Sequence, residues 1–387
     1  MSERLVRLDQ LAIGLTPDLP DQTPSLWEDG RNVLFVDKEL QPLPGQIPLV
    51  KTGLKINAMN RTGDLVFLGT NTSVLVYSIS QAKIYNVTPA GDNSTGPWSF
   101  VAYGTWMIGS HGGKIYIWKP GEEGENPPQF SLISDAPTGV VFLLKFKNYV
   151  LAVGKEYVYW CDDDNPELWT PEQDNQAGSL FIRDCQGDII GGVANDDIAL
   201  ICTQKEVIKL NYLSTPYIFG YKKIFEGAGI WNHKSITIVN NTVFGFGPNG
   251  IWCSNGSSFS YIDKGKVSDT ISTNMNISLA EQCFVGAWNI LQHVFIFVPQ
   301  MSRQILCFGF NMVNNLWTLL NWDRACAYRE YWCDNDGVLY IDDLKSAANL
   351  SEGDGILTLG ENITGGLGFG YGKIEQSSYG GVLWFQG

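Results

Sequence analysis

No apolar run in the 387-residue chain approaches the roughly 18 residues that a membrane-spanning helix needs; the longest, 140–146 and 294–298, are strand-length. The opening MSERLVRLDQLAIGL has charges but neither an apolar core nor a small-residue cleavage site, so it does not read as a signal peptide. Basic clusters are missing too. With 26 Lys and Arg against 40 Asp and Glu, the formal net charge is −14 and the pI about 4.6. Tight wrapping of nucleic acid, which needs a basic face to displace counterions, is thereby excluded. The acidity reads either as solubility or as a surface that repels nucleic acid. Only three histidines occur (His111, His233, His293), and none of the eight cysteines forms a CxxC pair, so zinc-finger spacing is absent. The cysteines sit mostly in apolar runs such as Ala199-Leu200-Ile201-Cys202, as reduced, buried small hydrophobes of a reducing cytosol. Helix is scarce, with one weak candidate at 269–283.

What the chain does have is 42 Gly, 13 Trp, 16 Tyr and 44% hydrophobic residues, the profile of an ordered protein rich in strands and turns. The clearest pattern is 229–262. Four short runs there are separated by Asn240-Asn241, by Pro248-Asn249-Gly250 and by Asn255-Gly256. Asn-Gly favours positive φ, so the expectation is tight hairpins in an antiparallel meander. Cruder copies recur. Paired apolar runs occur at 65–69 with 74–77, 106–109 with 114–118, 150–154 with 157–160, and 198–201 with 207–210. Further pairs are 243–247 with 251–253, 294–298 with 305–308, and a weaker 331–333 with 338–341. A spacing near 40–45 residues is that of a four-stranded propeller blade.

The expected fold is therefore all-β, an irregular β-propeller of six or seven blades; a series of β-sandwiches is the alternative. Residues 1–50, broken by Pro17, Pro20, Pro24, Pro42, Pro44 and Pro48, form an extended N-terminal arm. Residues 51–345 form the propeller body. The Gly-rich segment 346–387 supplies strands that close the ring or dock on a neighbouring subunit.

Candidate chemistry is thin. Asp162, Asp163 and Asp164, followed by Asn165-Pro166, could ligate Ca²⁺ through oxygen but lack the EF-hand register, and a solvated turn accounts for them as well. Asp334-Asn335-Asp336-Gly337 reads as a hairpin turn before a metal site. His111 falls before Gly112-Gly113, at what looks like an exposed hairpin tip, and no Gly-x-Ser-x-Gly elbow is present. Gly366-Leu367-Gly368-Phe369-Gly370 is not followed by Lys-Ser/Thr or a helix, so it is no P-loop. The tryptophans at alternating strand positions read as packing between blades; exposed ones would bind sugars or partners. No catalytic residue, cofactor or firm metal site emerges. A glycosidase or lyase would have only 162–164 as its lead.

Several segments resemble the tail hub and nozzle family of short-tailed bacteriophages, which includes the phage stabilisation proteins. They are Trp27-Glu28-Asp29-Gly30-Arg31-Asn32-Val33-Leu34-Phe35 with Gly45, and Gly96-Pro97-Trp98-Ser99-Phe100-Val101-Ala102-Tyr103-Gly104. Next come Tyr159-Trp160-Cys161-Asp162 with Asn165-Pro166-Glu167-Leu168-Trp169 and Ala177-Gly178, Cys161 standing where Ser is commoner. Gly227-Ala228-Gly229-Ile230 with Ser235 leads into the pattern V-F-x-x-G-x-x-G-I-W-x-x-N-G at 243–256. Asn314-Asn315-Leu316-Trp317-Thr318 and Arg324 complete the set, which covers about 20–345; the Gly-rich C-terminal segment has no counterpart in it. The resemblance implies a structural virion protein made in the host bacterial cytoplasm and placed in the tail. There it would form a ring of six copies that lines or plugs the genome-ejection channel. Its partners would be adaptor or portal-proximal proteins on one side and distal tail proteins or fibres on the other. DNA would pass without specific binding. The competing function is a glycan- or receptor-binding propeller of the tail.

Overall fold

The computed structural model describes residues 16–18, 27–30, 33–36, 39–122, 126–302 and 304–347, together with the strands Ile356–Leu359, Gly372–Glu375 and Val382–Phe385. Seven four-stranded antiparallel sheets form a β-propeller. Blades 1 to 6 are continuous in sequence, at 58–86, 99–132, 142–181, 191–226, 236–261 and 284–320. Each runs from an innermost strand outward. The innermost strands touch all round the ring, including that of blade 7 (Cys326–Tyr328) against that of blade 1 (Ala58–Thr62). A sheet with two apolar faces can bury both only between neighbours, and the ring gives every blade two. The seven paired runs seen in the sequence are the second and third strands of the seven blades. These strands are the most apolar because they are covered on both faces; Val74–Ser78, Tyr149–Val153 and His293–Pro299 are buried along their whole length.

Closure of the ring differs from the expectation. The outermost strand of blade 7 is Pro44–Lys51, paired with Val338–Ala347 from Val338 opposite Lys51 to Ala347 opposite Pro44, with two register shifts. It thus belongs to the stretch read as an arm, not to the C-terminal segment. The prolines that suggested an irregular arm are compatible with this position, because a strand at the outer edge needs no ladder hydrogen bond on its free side. The described strands of the C-terminal segment form a separate sheet with Trp27–Gly30, in the order Trp27–Gly30, Ile356–Leu359, Gly372–Glu375, Val382–Phe385. The hairpin of Val33–Val36 and Glu39–Pro42 lies on the outer strands of blade 6, where Leu34 is fully buried with Phe295, Trp322 and Trp332.

The weak helical signal corresponds to Ser268–Asn274 and a 3-10 turn, Ile277–Gln282, in the crossing from blade 5 to blade 6. Asp18 caps that helix from about 250 residues away, accepting from the backbone N–H of Asp269 at 2.7 Å and of Thr270 at 2.9 Å. In the 229–262 meander, Asn240 and Asn241 both adopt positive φ (47° and 60°), which is the expected tight turn. The third turn is wider than expected. Four residues, 255–258, join the strands, and the Asn255 side chain accepts from the N–H groups of Ser257 and Ser258.

Candidate functional site

Asp162, Asp163 and Asp164 lie in the long loop that joins the third and fourth strands of blade 3. Asp162 Oδ1 accepts from the backbone N–H of Gln176 at 2.7 Å, and its own N–H donates to Leu168 O. Asp164, at φ 56°, accepts from the Tyr103 hydroxyl at 3.3 Å. The carboxylates are thus divided between separate local tasks. Among the described residues no group of three His, Cys, Asp or Glu side chains is placed to hold a metal ion. At 334–337, Asp334 Oδ1 accepts from Asp336 N and Val338 N while Oδ2 accepts from the Tyr340 hydroxyl. This is the geometry of a side-chain-capped hairpin. The glycines at 366–370 lie outside the described residues.

His111 overturns the expectation of an exposed tip. It ends the strand Trp106–His111, is 1% exposed and stacks on Trp98 with ring centroids 4.5 Å apart. The crossing between blades 1 and 2 folds over it and puts Asp92 Oδ2 2.7 Å from Nδ1, while Nε2 lies 3.1 Å from Asn71 O in the hairpin between the second and third strands of blade 1. Burial pushes the Asp92 carboxyl up, but hydrogen bonds from Ser94 and His111 prevail and leave it below the usual carboxylate range. Both ring nitrogens are turned toward oxygens of the fold, so neither is directed at a nucleophile. The pair anchors a loop.

The aromatics are mostly core. Among the described residues nine tryptophans are buried: Trp98, Trp118, Trp160, Trp169, Trp252, Trp288, Trp317, Trp322 and Trp332. Several donate their indole N–H to a loop carbonyl, as Trp252 does to Gly229 O and Trp160 to Gln176 O, both at 2.7 Å. Among the described residues the large aromatics left in solvent are Tyr157, Phe181, Tyr212 and Tyr217. All eight cysteines are free, six of them buried.

A polar assembly that escaped the sequence reading locks the ring closure: Gln46, on the closing strand, accepts from Arg324 Nε at 3.1 Å and donates to Asp342 Oδ1 at 2.8 Å. The guanidinium lies between the rings of Tyr340 and Trp322, 4.4 and 5.0 Å from their centroids. Burial pushes the Asp342 carboxyl up to about 7, against the hydrogen bond from Gln46 that lowers it. The only signal in the sequence was Arg324 itself.

No family model and no curated protein sequence matches the chain. Among solved structures it is similar to a chain of the mitotic checkpoint complex, at 10% identity over 89% of this chain and 99% of that one, with a TM-score of 0.50. The WD40 domain of Neurospora crassa Pan2 is similar at 11% identity, over 78% of this chain and 94% of that one, with a TM-score of 0.49. At such identities the likeness is one of fold alone, and the fold is a seven-bladed β-propeller.

Proposed function

We propose that this propeller is a structural component of a bacteriophage tail, a hub or nozzle subunit that assembles as a ring of six around the path of genome ejection. What supports the proposal is the distribution of the segments that resemble that family. They fall in the sheet at Trp27–Gly30, in the closing strand, in blades 2, 3, 5 and 6, and at Arg324 in the closure lock. A resemblance confined to one blade would reflect propeller geometry; this one extends to the lock and to the N-terminal strands. DNA would pass through the hole between six subunits. A surface of net charge −14 repels the phosphate backbone and lets it slide without adhering. Electron imaging of the purified full-length chain should show six-fold rings with an axial hole, and particles that stay at 42.9 kDa up to high concentration would count against the ring. The competing reading, a glycan-binding propeller, has one observation in its favour: Tyr157 and Phe181 lie together in solvent on blade 3, with centroids 4.8 Å apart.

A further inference from the structure

Blade 7 carries two of the eight cysteines on facing strands. Cys326 opens the innermost strand, Cys326–Tyr328, and Cys333 ends the next, Tyr331–Cys333. The strands are antiparallel and joined by Arg329 and Glu330, with Tyr328 opposite Tyr331, Ala327 opposite Trp332 and Cys326 directly opposite Cys333. Beyond the pair, Ala325 N donates to Cys333 O at 2.8 Å, so the backbones remain tied on both sides of it. Residues opposite each other in such a ladder point to the same face of the sheet. Here that face is turned to blade 1: both cysteines pack in one cluster with Ile56, Met59 and Val66. Trp332, one residue before Cys333, is buried on the other face with Phe295 and Trp322. The two thiols are hydrogen-bonded to each other.

Directly opposite residues of an antiparallel pair have Cα atoms about 4.5–5.5 Å apart, inside the range of about 4.4–6.8 Å that a disulfide spans. The backbones therefore already stand where such a bond requires them. Among the described residues no other cysteine stands opposite a cysteine. Cys202 faces Gly191 and Val207, Cys253 faces Phe244 and Ser260, and Cys307 faces Phe297 and Leu320. Cys161, Cys185 and Cys283 lie outside the strands.

We propose that Cys326 and Cys333 form a redox-active pair, a dithiol in reducing surroundings and a disulfide within blade 7 once a peroxide-class oxidant reaches it. The pair lies within one propeller and does not depend on the ring of six. Cys326 is 4% exposed and Cys333 0%, so the reaction starts at Cys326. Its thiolate sulfur attacks one oxygen of hydrogen peroxide; the O–O bond breaks, the sulfur becomes a sulfenic acid, and the released hydroxide takes up the thiol's proton as water. The Cys333 sulfur then attacks the sulfenic sulfur; the S–S bond forms, the S–O bond breaks, and a second water leaves with the Cys333 proton. Two thiols have lost two electrons and two protons, and one peroxide has become two waters. A pair so deeply buried favours an oxidant scarcely larger than water over a glutathione-sized disulfide. Burial, above all, holds the Cys333 thiol well above its ordinary value, which keeps it a thiol while the pair is reduced. The bond would tie the inner hairpin of the blade whose outer strand, Pro44–Lys51, arrives from the distant N-terminal part of the chain.

The test uses the full-length wild type, prepared reduced, exposed to hydrogen peroxide, then denatured in N-ethylmaleimide and digested with trypsin without reductant. Cleavage after Arg324, Arg329 and Lys345 puts Cys326 alone in 325–329 and Cys333 alone in 330–345, so a bond between them appears in the mass spectrum as two joined peptides. The expected result is that joined species, with both cysteines lost to alkylation in equal measure and both recovered after dithiothreitol. Cys326→Ser should leave Cys333 to be alkylated as a free thiol after the same treatment; should that variant fail to fold, the wild-type map decides alone. The half-buried Cys185 and Cys253 report that oxidant has acted. Cys326 and Cys333 alkylated in full once Cys185 and Cys253 have been oxidised, or found as separate sulfinic acids with no joined peptide, overturns the pair.

Discussion

Gly245 and Trp252 stand directly opposite each other on adjacent strands of blade 5, and a Cβ on Gly245 would lie 2.2 Å from Trp252 Cζ2. Gly178 and Trp160 repeat the arrangement in blade 3, at 2.4 Å. The abundance of glycine and of tryptophan in the sequence is therefore partly one fact: the indole lies flat over the strand opposite, and only a residue without a side chain leaves it room. Gly245→Ala should displace Trp252 from its fully buried position and its bond to Gly229 O, lowering stability by about 1–3 kcal/mol. Thermal melting checks this against Gly121→Ala, where the added methyl meets Pro128 at an ordinary 3.5 Å and should change nothing. Equal melting temperatures for the two variants would remove the steric account. The sequence made the residue types visible but not their register, which depends on strand pairing. His111 shows the converse error. Its neighbours Gly112 and Gly113 do make a turn, yet its burial is decided by Asp92 and Trp98, which the crossing from blade 1 brings in.

Among the elements, the seven pairs of central strands were legible because they are buried on both faces and therefore uniformly apolar. The closing strand Pro44–Lys51 was not. It is half-exposed and contains Pro44 and Pro48, and its pairing with Val338–Ala347 spans nearly the whole chain. Nothing local encodes such a contact. The lock that fixes it predicts a pH dependence. Asp342, held at about 7 in the folded protein against an ordinary carboxyl value near 4, carries a proton that the unfolded chain lacks between those limits. Its contribution is thus most favourable at the acidic end and declines as pH rises through about 7. Asp342→Asn keeps an oxygen to accept from Gln46 and carries no charge at any pH. The variant should match the wild type near pH 4 and exceed it at pH 8 by about 1–2 kcal/mol, allowing for partial solvent screening. Melting temperatures measured for both proteins across that range give the difference curve, and parallel curves would show that Asp342 is already ionised in the fold.

At the scale of the whole molecule, the sequence reading reached the propeller but not its closure, because blades are local and closure is not. Charge acts at this scale as well. A ring of six such chains brings six net charges of −14 into contact, and their repulsion opposes assembly at every interface. Screening shortens its range to about 30 Å at 0.01 M salt and about 8 Å at 0.15 M, so salt removes most of the penalty between surfaces that do not touch. Contacts made by apolar and hydrogen-bonded surface lose little over the same range. The proposed ring should therefore form more completely as salt rises from about 0.01 to about 0.2 M, and mass measurements should show particles of six times 42.9 kDa growing at the expense of single chains. A ring held by opposite charges would behave in the other sense and fall apart. That outcome would locate the basic residues at the interfaces and leave a lumen more acidic than the average surface, whereas assembly promoted by salt means that the repulsion is shared between interfaces and lumen.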